Sequence, residues 1–162
     1  MQKLQLLRCS PRVGRAASRI GLVVAFLGAF ASATSAEPAS PGLTIAHAWM
    51  RVVVPTRPAA GYFELTNDTA TPRTLVGAAS PACGMLMLHK SVHENGQERM
   101  VMVKSVPVAA HGTATFAPGG YHLMCMSPTR AVTPGALVPV TLRFADGRTL
   151  TATFPVHGPT GK

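Results

Sequence analysis

Six of the chain's 8 methionines lie in one stretch, as Met85, Met87, Met100, Met102, Met124 and Met126, interleaved with His89, His93 and His122. Thioethers are soft donors that select Cu(I), whereas zinc usually takes thiolate, imidazole and carboxylate. Two imidazoles with two thioethers form a neutral ligand set, which holds a monovalent ion without a buried excess of anions. Thioethers need no deprotonation and form no disulfides, so they suit an oxidising compartment where cysteine sites are open to oxidation. Methionine is ordinarily a gap-filling core residue. The chemistry therefore depends on which way these side chains point.

The elements that must position them are β-strands. Short extended runs are expected at Leu43–Val53, Gly61–Thr66, Arg73–Ala78, Met85–Ser91, Arg99–Lys104, Thr113–Ala117, Tyr121–Met126, Leu137–Phe144 and Thr149–Val156, with no helical periodicity. Asn95-Gly96 and Asp146-Gly147 are strong hairpin signals, because both turn residues need positive φ. A two-residue turn at Asn95-Gly96 sets Met102 opposite His89 and Met100 opposite Ser91. Side chains alternate, so Met85, Met87, His89, Met100 and Met102 share one face and Leu86, Leu88, Val101 and Val103 the other. The same parity places His122 and Met124 together on their strand. Eight or nine short strands at this spacing predict an all-β fold, a sandwich or small barrel.

The sequence His89, ten residues, Met100, twenty-one residues, His122, one residue, Met124 resembles the H-x10-M-x21-H-x-M pattern of the periplasmic copper chaperones called PCuAC. Supporting pieces are the Trp49-Met50-Arg51 run, the Tyr62 to Asn67 strand (YFELTN) and Pro118-Gly119-Gly120 ahead of His122. The resemblance covers Leu43 to Val156. It implies a cupredoxin-like β-sandwich holding one Cu(I) per monomer through His89, Met100, His122 and Met124. It further implies delivery, alongside a Sco-type thioredoxin-like partner, towards the CuA centre of cytochrome c oxidase. Some members carry a His- and Met-rich tail with a Cu(II) site; the tail here, residues 158–162 after His157, lacks that composition. Met102 and Met126 are surplus thioethers that could line the site or substitute during transfer.

Other residues read as less central. His93 is expected to be exposed near a hairpin tip, and His47, His111 and His157 to be surface residues. Trp49 is expected to pack in the core or beside the site, shielding it from water. Cys125 lies between Met124 and Met126 and so faces away from the ligands. Cys83 shares parity with His89 and lies three pleats away, roughly 20 Å along a regular strand. Buried free thiols are the expectation; a disulfide is the alternative, with a bulge at Gly84 able to bring it about.

The whole chain has 162 residues and a formal net charge of +9, which taken alone suggests an anionic polymer as partner. Lys3, Arg8, Arg12, Arg15 and Arg19 precede an apolar run, Ile20–Phe30, and small residues ending Ala31-Ser32-Ala33-Thr34-Ser35-Ala36. That order is a secretory signal peptide over 1–36, cleaved after Ala33 or Ala36, with an uncleaved anchor as the alternative. Cys9 precedes the apolar run, so it is not placed to carry lipid at a cleavage site. Residues 37–42 read as a flexible linker and 43–157 as the copper-binding domain. From residue 37 onward, 10 basic residues face 6 acidic ones, a net +4. The expectation is a periplasmic protein with no nucleic-acid partner and no stable membrane insertion after cleavage.

A copper-containing electron-transfer protein of cupredoxin type needs a Cys thiolate with two His, and Cys125 has no His shortly after it. An enzyme is not expected, since Gly-x-Ser-x-Gly, His-Glu-x-x-His and a glycine-rich phosphate loop are all missing from the sequence.

Overall fold

The structure, a computed structural model, describes residues 40–94 and 96–161. The leader and most of the linker fall outside the described residues. Ten strands follow in order: β1 (Leu43–Arg51), β2 (Ala59–Asn67), β3 (Arg73–Ala79), β4 (Cys83–Glu94), β5 (Gln97–Met102), β6 (Val106–Val108), β7 (Gly112–Phe116), β8 (Tyr121–Pro128), β9 (Leu137–Phe144) and β10 (Thr149–His157).

Hydrogen bonding orders them β5-β4-β8-β7-β2-β1-β10-β9-β3-β6, with β8 also pairing β2. The two halves join through a short parallel contact between β1 and β10, at Met50 with Val156 and Arg51 with His157. They fold against each other as a cupredoxin-like sandwich. Phe63 of β2 stacks on Phe116 of β7, with ring centroids 4.2 Å apart, and meets Phe154 of β10 edge-on at 5.7 Å. Leu86, Leu88, Leu123 and Cys125 point into the same core from β4 and β8. Among the described residues no helix is long and apolar enough to cross a membrane.

The strand β6 was not expected from the sequence. It has three residues with Pro107 at its centre, a residue that cannot donate to a ladder and is tolerated at an edge. That is where it sits, pairing only with β3 at one end of the order.

The cysteines correct the expectation of free thiols. Cys83 and Cys125 form a disulfide with Cα atoms 5.4 Å apart. Cys83 lies opposite Pro128 and Cys125 opposite Leu86, a stagger that a regular ladder would hold about 10 Å apart. The pairing register does not shift between those pairs, but the in–out alternation breaks. Gly84 and Met85 are exposed in succession, and Ser127, across from Gly84, has a φ of 48°. This break in alternation turns Cys83 into the core and closes the gap.

Candidate metal centre

The β4–β5 hairpin has the expected register: His89 opposite Met102, Ser91 opposite Met100, Glu94 opposite Gln97. Gly96 takes a φ of 77°, as the turn requires. On its other side β4 pairs with β8, which sets His89 opposite His122, Met87 opposite Met124 and Met85 opposite Met126. The outward face of β4 and β8 is therefore a ladder of three rungs: two of methionine and one of histidine. Leu86 and Leu88 alternate with these residues and are buried beneath them.

His122 is only 3% exposed. Its Nδ1 lies 3.1 Å from the carbonyl oxygen of Gly120. A carbonyl can only accept, so Nδ1 carries the proton and Nε2 holds a free lone pair. The Gly120 carbonyl also accepts from the Ser91 backbone N–H at 3.0 Å, which ties the Pro118-Gly119-Gly120 turn to β4 and fixes the ring. Nε2 of His122 and Nδ1 of His89 are both buried without a hydrogen-bond partner. Leaving such a group unsatisfied costs about 1–3 kcal/mol, so two on facing residues call for an explanation. The rings are 5.8 Å apart, edge to face. Burial, and after it the neighbouring His122, push the His89 imidazole below its ordinary pKa, which favours the neutral, ligating form.

Thioethers flank this rung. Met100 and Met102 are 64% and 67% exposed, though methionine is normally a core residue. Met100, Met124 and His122 line a groove of about 330 Å³ together with Arg51, Tyr62 and Glu98. Among the described residues no three of His, Cys, Asp and Glu gather as a metal site. The side-chain donors on the rungs beside the His89–His122 pair are thioethers.

The structure thus brings His89, His122, Met100 and Met124 to one face. Met102 sits beside His89, whereas Met126 stands two rungs away. His93 is exposed near the hairpin end, and His47 lies in a bulge of β1 with a φ of 52°. Trp49 is 4.7 Å from Tyr62 between ring centroids, and Tyr62 is 6.4 Å from His122, so the tryptophan is site-adjacent. The site-adjacent roles of Arg51 and Tyr62 were not assigned from the sequence. The Arg51 guanidinium donates to the Tyr62 hydroxyl at 3.1 Å. Burial raises the Tyr62 pKa, with Arg51 opposing the rise.

The chain is similar to several known proteins. Residues 43–156 match a family described as "LpqE-like: Putative lipoprotein LpqE-like". A relative named "Putative lipoprotein Lxx21020", from Leifsonia xyli subsp. xyli, is 34% identical over 142 residues, 87% of this chain and 85% of that protein. Among solved structures, CuI-DR1885 of Deinococcus radiodurans is 36% identical, covering 73% of this chain and 81% of its own with a TM-score of 0.56. Apo-DR1885 is 29% identical over 99% of this chain and 100% of its own, with a TM-score of 0.60. The copper-bound PCuAC domain from PmoF2, 21% identical over 73% of this chain and 94% of its own, has the same fold at a TM-score of 0.60. The chain belongs to the LpqE-like family, a PCuAC-type family built on a cupredoxin-like β-sandwich.

Proposed function

We propose that the protein is an exported copper chaperone that carries Cu(I) as cargo on His89 Nδ1, His122 Nε2 and the thioethers of Met100 and Met124. The observation that carries this reading is the facing pair of buried, unpartnered ring nitrogens set among outward methionines. Two similar structures, the copper-bound PCuAC domain from PmoF2 and CuI-DR1885, support it. All four ligands are neutral and individually weak or moderate, so the ion can leave by stepwise exchange. Met100, the most exposed of the four, is the ligand an incoming donor replaces first. In each step one bond from copper to a methionine sulfur or a histidine nitrogen breaks as one bond to the incoming donor forms, and copper stays Cu(I). We place the acceptor at a Sco-type protein or the CuA subunit of cytochrome c oxidase, and we read the protein as a carrier, not an enzyme. The periplasmic assignment is supported by the lipoprotein descriptions of the family and its relative and by the leader-like order of residues 1–36.

The electron-transfer alternative needs a thiolate ligand. Cys83 and Cys125 are joined to each other, which weighs against it.

Anaerobic Cu(I) titration with X-ray absorption tests the assignment. A 1:1 complex with two sulfur and two nitrogen ligands is expected. Removing a supporting residue alone costs about 10–100-fold in metal affinity, so the double substitution His122→Ala, Met124→Ala should cost at least about 100-fold. Unchanged affinity in that variant would remove the site. Intense visible charge-transfer absorption in the copper-loaded protein would favour electron transfer instead.

A further inference from the structure

The methionine rungs below the histidine pair are more than that pair requires. Met87 faces Met124 and Met85 faces Met126 across β4 and β8, on the outward side of the sheet. Facing residues in an antiparallel pair have Cβ atoms about 4.5–5.5 Å apart and diagonal ones about 7–8 Å. Flexible methionine side chains can therefore bring the sulfurs of Met85, Met87 and Met126 to one point. Met85 is 58% exposed, so its apolar side chain gains little from burial.

Two outward rungs elsewhere in the molecule carry polar pairs instead. Thr66 faces Thr113 with hydroxyls 2.9 Å apart, and Thr141 faces Thr151 at 2.8 Å. Such Thr–Thr pairs are ordinary cross-strand stabilisers of a solvated face. On β4 and β8 the corresponding positions hold methionine on both strands, twice in succession.

Met85 and Met87 are reached from the side: where β5 leaves β4 after Met102, they line a groove of about 400 Å³ with Met102, Lys104 and Arg143, while Met126 lies on the β8 side, outside that groove. Two cationic side chains with no carboxylate among the lining residues disfavour a hard dication. Neutral thioethers select a soft monovalent one.

We propose that Met85, Met87 and Met126 form a second site, for Cu(I) or Ag(I), one step along the ladder from the His89–His122 rung. It rests on the copper reading of that rung for the identity of the cargo and for the order of filling. The site has three thioethers and no imidazole, so it binds more weakly than the histidine rung. Met87 of the second site faces Met124 of the first on one rung, so an ion on the lower site can pass to the histidines by exchanging one ligand at a time.

Silver titration of the full chain tests this, because Ag(I) has the same charge and softness and is not oxidised in air. Native mass spectrometry counts the ions, and NMR follows the methionine ε-methyls and the histidine ring protons. Two ions are expected. The first moves the rings of His89 and His122. The second moves the methyls of Met85, Met87 and Met126. In the Met85→Leu, Met126→Leu double variant, near in volume and therefore expected to fold, the first event remains and the second weakens at least tenfold. A wild-type protein that stops at one ion overturns the proposal, as does a second event unchanged in the variant. If the three methyls move while the histidine rings never do, the second site stands and the histidine assignment fails.

Discussion

At the scale of single residues, the chemistry depends on which ring nitrogens are left free. Alternation placed His89 and Met100 on one face of their hairpin, and His122 and Met124 on one face of their own strand; only the resemblance to the PCuAC pattern joined the two pairs. The tautomer of His122 was not legible there, because it is set by the backbone carbonyl of Gly120, whose direction depends on how the preceding turn closes. His89 yields a pH prediction. In the unfolded chain its ring takes a proton near pH 6.5, whereas in the folded protein it does so only at lower pH. Between those values the unfolded state binds more protons, so the contribution of His89 to stability falls as pH drops through this window. Urea denaturation should show stability decreasing below about pH 6.5, and His89→Gln should flatten that part of the profile. A profile identical in wild type and variant would mean that His89 titrates as in free solution.

At the scale of elements, β4 and β8 do most of the positioning, and their irregular end is where sequence reasoning went astray. Strict alternation puts Cys83 on the ligand face. The paired exposure of Gly84 and Met85, with Ser127 at positive φ across from them, puts it in the core instead. Nothing in the local sequence fixes this break in alternation, which occurs without any shift of register. A Cβ at Gly84 would lie 3.1 Å from the Ser127 Cβ, so glycine allows the two backbones to approach at that point. The resulting disulfide closes 42 residues, which predicts about 4 kcal/mol of stabilisation by the chain-entropy argument. Cys83→Ala, Cys125→Ala should lose about 2–5 kcal/mol in denaturant titration. Its Cu(I) affinity should stay within tenfold of wild type, since Cys125 faces away from the ligands. A large loss of affinity with little loss of stability would show that the bridge acts on the metal rung. The strand β6 escaped notice for the opposite reason, its signal being three residues with a proline at the centre.

At the scale of the whole molecule, nine extended runs were enough to predict an all-β fold, because two-residue periodicity and turn chemistry agree along nearly all of it. The pairing of β4 with β8 was not available from local pattern, since it joins residues more than thirty apart in the chain. Charge needs the same change of scale. The +9 of the full sequence falls to +4 from residue 37 onward, leaving weak grounds for an anionic polymer as partner. The assembled sandwich also lines up side chains from five strands across one face. His157 lies 5.7 Å from Trp49, Trp49 4.7 Å from Tyr62, Tyr62 6.4 Å from His122, and His122 5.8 Å from His89. Trp49 is the chain's single tryptophan. The protein thus carries its own optical gauge two rings from the proposed cargo. Ultraviolet emission should shift once on unfolding and change separately, in the folded state, as the histidine rung fills. Trp49→Phe should silence both signals while leaving the count of bound ions as it was.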